Sequence, residues 1–218
     1  MTQPESTPKR RLHTHWNNVM NFPESEYNAQ TFKEIHLSKQ QMEDKIFTGC
    51  VFEKCSFREI ILQDCRFDDC KFLHCDLSLL RMADCTFKNT RFEHCQLVGV
   101  NWADTNLTET KRTFFKPVDF VSCVLNHSTF MGANLKNSQL TQCIARNVSF
   151  ENANLSHANC TLTDFAESRF LHTNLSEADF NDATNYLIAA NLNTLHKTKF
   201  SLPEAMSLLY GLDIVLKE

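Results

Sequence analysis

From Met42 to Leu107 every fifth residue is apolar, fourteen positions in succession, through Phe47, Phe52, Phe57, Leu62, Phe67, Phe72, Leu77, Met82, Phe87, Phe92, Leu97 and Trp102. Helices repeat apolar residues near 3.6 and strands near 2.0, so a period of five fits neither as a long element. A second run in a new phase goes from Phe120 through Leu125, Phe130, Leu135, Leu140, Ala145, Phe150, Leu155, Cys160, Phe165, Phe170 and Leu175 to Phe180. The phase changes because thirteen residues separate Leu107 from Phe120.

If each of these positions is called i, position i−2 is mostly small, and nine of the ten cysteines lie there; the tenth, Cys160, lies at i. A free buried cysteine behaves as a small hydrophobe, so Cys is expected beside each large residue as core filling. The other three positions of each five are mainly polar. Only 4 Gly and 5 Pro in 218 residues leave no material for a long flexible linker or many tight glycine turns.

A longer period of twenty overlies the five. Ile60, Leu80 and Val100 are the large aliphatic i−2 residues between 50 and 105, and Phe47, Phe67 and Phe87 form one column, Phe52, Phe72 and Phe92 another. Four fives per turn predict a square tube whose coils stack at about 4.8 Å, each burying its large residues against its neighbours. The segments "ADCTF", "GANLK", "ENANLS" and "SEADF" carry the pattern A(D/N)Lxx, and over residues 30 to 185 the chain resembles the pentapeptide-repeat proteins. That resemblance implies a right-handed quadrilateral β-helix, here of about seven coils with a C-terminal helix cap.

The organisation expected is a polar tail over 1–18, an N-terminal cap over 19–41, β-helix over 42–107, a projecting loop over 108–119, β-helix over 120–185, and a capping and dimerising segment over 186–218. The loop "TETKRTFFKPVD" carries Lys111, Arg112, Phe114, Phe115 and Lys116, and reads either as a tolerated insertion or as a partner-gripping loop on a rigid scaffold. In the C-terminal "FSLPEAMSLLYGLDIVLKE", Pro203 near the first turn and Gly211 at the stop mark a short helix. Leu208, Leu209, Leu212, Ile214 and Leu216 are candidates for a two-fold dimer interface.

No catalytic constellation, phosphate loop or C-x-x-C metal spacing is present, so neither an enzyme nor a cofactor or metal site is expected. Residues 1–18 contain no apolar signal-type core and no span suits a membrane, which places the chain in the cytoplasm with free thiols. The net charge of -4 argues against nucleic-acid binding. Charge is uneven, however. Residues 151–183 hold six acids, Glu151, Asp164, Glu167, Glu177, Asp179 and Asp182, against Arg169 alone.

Within the family the chain resembles the Qnr-type quinolone-resistance group in its length, its "SLLYGLDIVL" segment and its single projecting loop. Qnr proteins of Gram-negative bacteria carry two loops, and the unbroken phase over 42–107 leaves no place for the smaller one. The resemblance implies a dimeric DNA mimic that binds DNA gyrase or topoisomerase IV and protects it, with Asp164, Glu167, Glu177, Asp179 and Asp182 as the mimicking patch. The alternative is an interaction scaffold with no topoisomerase partner; neither reading calls for a small-molecule substrate. Thiol titration of the denatured, unreduced protein should return all ten cysteines, and recovery of only a few would place disulfides in the tube.

Overall fold

The computed structural model describes residues 22–105, 107, 118–212 and 214. They form a four-faced parallel β-solenoid of about eight coils. The faces are numbered I to IV in chain order from Phe22. Face I carries the strands Gln41–Glu43, Ile61–Gln63 and Arg81–Ala83. Face II carries Glu26–Asn28, Ile46–Thr48, Arg66–Asp68 and Thr86–Lys88. Face III is a six-stranded ladder from Thr31–Lys33 to Leu140–Thr141. Face IV is stitched by isolated parallel bridges such as Ser56↔Asp76 and Asp76↔Gln96. The register is twenty along most of the tube (Phe47↔Phe67, Phe52↔Phe72, Leu62↔Met82); the insertion makes it twenty-eight, as in Phe92↔Phe120, and near the C-terminal end Phe170 pairs Ile188 at eighteen.

Strands are short because the chain turns every five residues. At most corners the residue at i+2 has a left-handed backbone, and φ lies between 47° and 60° at twenty-seven non-glycine positions. This conformation costs about 1–2 kcal/mol for an ordinary L-residue and is best tolerated by Asn, Asp and His. Fifteen of the twenty-seven are Asp, Asn or His. The corners therefore account for His74, His94, His127, His157 and His172, and the rings of His74 and His94 stack outside the tube at 4.9 Å.

The interior is filled by columns of identical or similar rings. Phe52, Phe72 and Phe92 stack at 4.6 and 4.8 Å, and Trp102, Phe130, Phe150 and Phe170 at 5.7, 5.4 and 5.1 Å. Columns on neighbouring faces meet edge-on, as Phe47 meets Phe52 at 72°. Offset-stacked and edge-to-face contacts are the two arrangements aromatic quadrupoles favour. Among the rings from Met42 to Phe87 a void of about 10 Å³ remains, which leaves no useful space for water, so the tube is a packed core and not a channel.

Position i−2 does more than fill space. At Cys75, Cys95, Ser128, Thr163 and Ser168 the thiol or hydroxyl inserts into an open turn of the preceding coil, bridging its carbonyl at i and its N–H at i+3, whereas Thr173 and Thr198 bond only the carbonyl over a turn that is closed on itself. Ser128 Oγ donates to the Leu97 carbonyl at 2.7 Å and accepts the Val100 N–H at 3.0 Å. Ser168 does the same for Ala145 and Val148, at 2.6 and 2.9 Å. Cys75 Sγ joins Phe52 and Cys55 at 3.3 and 3.4 Å, and Cys95 joins Phe72 and Cys75 at the same distances. Where the inserted residue has no donor, the turn beneath closes on itself: under Leu80 the Ile60 N–H reaches the Phe57 carbonyl at 3.2 Å, and under Val100 the Leu80 N–H reaches Leu77 at 3.2 Å. The reading of these cysteines as filling is thus incomplete, because their thiols satisfy buried backbone groups. All ten are free and buried. Burial pushes the Cys70 thiol up to about 12 and raises Cys143 and Cys160 as well, which keeps them protonated and unreactive.

Three expectations about the ends are corrected. Residues 22–41 are not a separate cap but the first coil: Phe22, Tyr27, Phe32 and Leu37 keep the phase of five, and Tyr27 stacks on Phe47 at 5.1 Å. The tube also continues past 185, since Asp179–Phe180 pairs with Lys199–Phe200 and Asn174 bridges Thr194. These additions raise the count from about seven coils to about eight. The repeat is masked near this end because Phe170 pairs Ile188 at eighteen residues instead of twenty, with a short 3₁₀ turn at Ala190–Leu192 restoring the register. The terminal helix, Glu204–Gly211, is 3₁₀.

Two substitutions test this packing. Phe72→Ala should lower stability by about 3–5 kcal/mol in chemical denaturation. Thr163→Val, which removes the Oγ1 that now joins the Leu140 carbonyl and Cys143 N–H and leaves that turn to close on itself as under Val100, should cost about 0.5–1.5 kcal/mol while Thr163→Ser stays near the parent.

Candidate interaction surface

A tube with a closed interior acts through what its corners and faces display. The corner between faces I and II carries Glu24, Asp44, Asp64, Asp84 and Asp104, twenty residues apart in sequence and all exposed. Asp44, Asp64 and Asp84 sit there at φ 52°, 52° and 54°. None of the five makes an ion pair among the described residues; Asp104 accepts the Asn101 amide at 2.6 Å. Higher up the same corner the acids give way to Gly132, Asn152 and His172. The other corners mix their charges, as in Glu34, Lys54, His74 and His94. With coils about 4.8 Å apart, the ladder presents one carboxylate per rung, against one phosphate per about 3.4 Å along a single DNA strand. It was legible in the sequence at a spacing of twenty. A charge count over 41–150 balances 13 acids against 13 bases and hides it.

The acids of 151–183 are arranged differently. They do not form one patch: Glu177 lies at the corner of faces II and III, Asp179 on face III, Asp182 at the next corner, Asp164 on face IV and Glu167 at the corner of IV and I. Three of the six are paired with a Lys or Arg, Glu151 with Arg169 at 3.4 Å, Asp164 with Arg146 at 2.6 Å and Asp179 with Lys199 at 3.3 Å, and Glu177 lies 3.5 Å from the His157 ring, a charge pair only when that ring is protonated. Their partners lie one coil away, so a count along the sequence overstates the local field. Burial pulls the Asp164 carboxyl upward, but hydrogen bonds from Asn185, Arg146 and the Ala166 N–H outweigh it and hold the group below the usual carboxylate range.

The expected loop residues Lys111, Arg112, Phe114, Phe115 and Lys116, and Leu216 of the expected dimer interface, lie outside the described residues. Of the other C-terminal leucines, Leu208 packs partly against the core and Leu209 is half-buried, whereas Leu212 and Ile214 are exposed. Leu187, Leu192, Leu202 and Met206 add exposed apolar surface at this end. Among the described residues no group of three or more His, Cys, Asp or Glu is placed to hold a metal, and no helix is long and apolar enough to cross a membrane.

A parallel solenoid with a five-residue step, a left-handed corner at i+2 and a small hydrogen-bonding residue at i−2 defines the repeat β-helices. The chain belongs to the pentapeptide-repeat family: it matches the pentapeptide repeat region over residues 45–114 and eight copies of pentapeptide repeats over 146–182. No curated protein sequence matches it. Among solved structures it is similar to QnrB1, a plasmid-mediated fluoroquinolone resistance protein. One trypsin-treated form superposes with a TM-score of 0.62 at 14% identity, covering 86% of this chain and 100% of that one. A second gives 0.59 at 17% identity over 88% and 92%, and the full-length protein 0.52 at 14% over 87% and 100%. At these identities the likeness is one of fold.

The pairing of Asp164 has a pH signature. Its folded pKa is lowered, so the stability it contributes is fully present above about pH 4, the unfolded value. That contribution is lost as pH falls through the lowered one. Asp164→Asn should flatten the acid side of a stability–pH profile, measured by urea midpoints between neutral pH and the acid limit of folding.

Proposed function

We propose that this protein is a non-catalytic interaction protein of the cytoplasm. In this reading it presents a DNA-like face to a bacterial type II topoisomerase, gyrase or topoisomerase IV, and protects that enzyme from quinolones or toxins. The observation that carries the reading is the ladder Glu24, Asp44, Asp64, Asp84 and Asp104 along one edge of the tube, none of them ion-paired among the described residues. A surface built to receive duplex DNA is lined with cations, and regularly spaced fixed carboxylates compete for it without deforming. The fold shared with QnrB1 supports the same reading. The ladder replaces the 151–183 acids as the main mimicking surface, because three of those six are ion-paired within the tube and the six are spread over different faces and corners. In this proposal the 108–119 loop supplies side-chain grip on the enzyme. The exposed Leu212 and Ile214 join two copies end to end, so that each arm of the dimer carries one acidic ladder.

The test is a gyrase supercoiling assay with ciprofloxacin. The parent protein should restore supercoiling, and the triple variant Asp44→Lys, Asp64→Lys, Asp84→Lys should not. Lys39 and Lys54 already occupy left-handed corners at φ 58° and 53°, so the variant should fold as the parent does. A folded variant that still protects would remove the ladder from the mechanism. No rescue by the parent at any concentration would leave a scaffold with another partner. Leu212→Asp with Ile214→Asp should convert a dimer to a monomer in sedimentation, and a monomeric parent at micromolar concentration would end the dimer proposal.

A further inference from the structure

Along the corner between faces IV and I a groove of about 500 Å³ runs past Leu79 and Gly99 and ends against Asp104, the top rung of the acidic ladder. Its corner is unusual. Leu79 stands at φ 58°, a left-handed backbone that disfavours leucine, and its side chain is nonetheless 43% exposed. Gly99, one coil further on, makes room for it, since a Cβ there would lie 2.9 Å from Leu79 Cδ2. Ile61 is a second exposed aliphatic residue in the groove. Of the charged groups in the lining, Lys39 and Glu59 pair at 3.8 Å, and Asp104 accepts the Asn101 amide at 2.6 Å. Arg81 is exposed, and its guanidinium has no hydrogen bond or ion pair among the described residues. The groove thus offers an aliphatic floor, an unengaged guanidinium and, at its edge, a row of carboxylates.

We propose that the chain's own segment 9–21, which lies outside the described residues, docks along face I, with Trp16 in this groove and Lys9, Arg10 and Arg11 on the acidic ladder. The described chain begins at Phe22, on face I, entering from the side of the corner that holds the groove. The reach is right. Phe22 keeps the phase of Met42, Leu62 and Met82, so Arg81 stands three coils, about 14 Å, further along the axis. The six residues from Trp16 to Phe22 span up to about 20 Å, whereas Val19 and Met20 reach at most half as far. The chemistry matches too. An indole buries apolar area on Ile61 and Leu79 and offers its face to a guanidinium, a pairing in which Trp is the best ring. Lys9, Arg10 and Arg11 stand against Glu5 alone in residues 1–21, and lie five to seven residues before Trp16. Five residues also separate Leu79 from Asp84 across face I, so the basic run reaches the ladder. Docked in this way, the segment neutralises an otherwise unpaired edge, and any cationic partner of the ladder has to displace it. The contact stands whether or not that partner is a topoisomerase.

The test uses the full chain, with NMR of the indole N–H groups and of the Ile61 and Leu79 methyls at low salt. Trp16→Ala assigns the Trp16 indole signal and separates it from that of Trp102. In the parent the Trp16 ring should show NOE contacts to the Ile61 methyls and shift them. Its indole signal should differ from that of a free peptide of residues 1–21. Leu79→Asp should return that signal to the free-peptide position. Aspartate already stands at left-handed corners such as Asp64 and Asp84, so this variant should fold as the parent does. The triple variant Lys9→Gln, Arg10→Gln, Arg11→Gln should move the docking equilibrium about tenfold toward the free segment, the combined effect of about three exposed ion pairs. A parent indole signal that already matches the free peptide, or Ile61 methyls unmoved by Trp16→Ala, overturns the proposal. Docking unchanged by the Gln substitutions overturns the placement of the basic run on the ladder. NOE contacts that grow with protein concentration would make the segment of a second copy the occupant and overturn the contact within one chain.

Discussion

Everything in this structure depends on the backbone hydrogen bond from one coil to the next at a register of twenty. Each coil alone buries nothing, because its large residues point into a lumen only two or three side chains wide. Stacking at the strand spacing brings ring onto ring and supplies partners for the N–H and C=O groups that corners leave open. The cost is a left-handed residue at most corners, and the composition answers it with Asp, Asn and His. Much of the polar surface is therefore shaped by backbone need before any partner is considered. That is why His74, His94, His127, His157 and His172, five of the nine histidines, stand at corners.

The inserted thiols and hydroxyls add a second level of coupling. A residue in one coil decides the turn geometry of the coil before it: Ser128 holds the Leu97 turn open, while Leu80 leaves the Phe57 turn to close on itself. Cys, Ser and Thr are interchangeable at i−2 because each is small and can both donate and accept. Ala and the aliphatic residues shift the hydrogen bond to the backbone. The cysteine content thus reflects buried polar satisfaction in a tube with few glycines to form turns by other means.

The same geometry governs the surface. A straight ladder requires one residue type at the same corner of successive coils, and this chain does so with carboxylates only on its N-terminal five coils. Elsewhere several acids, among them Glu151, Asp164 and Asp179, meet cations one coil away and are quenched. Net charge along the sequence and net field in space diverge for this reason, and a rod can be nearly neutral overall while one edge remains strongly anionic.

The sequence by itself determined the five-residue step, the four-sided tube, the stacked Phe52–Phe72–Phe92 column and the place where an insertion breaks the phase, because an inward residue every five positions admits few other solutions. It also carried Tyr27 and Phe32 in phase, although their polar surroundings made the first coil resemble a cap. What only the tertiary structure decided depends on neighbours twenty residues apart. Which turns are open, which of Asp164, Glu177 and Asp179 are already paired, which terminal leucines pack inward like Leu208 and which remain exposed like Leu212, and the groove of Leu79, Arg81 and Gly99 all follow from contacts between coils. A linear pattern fixes which way a side chain points; what it meets there is set by the coil above or below.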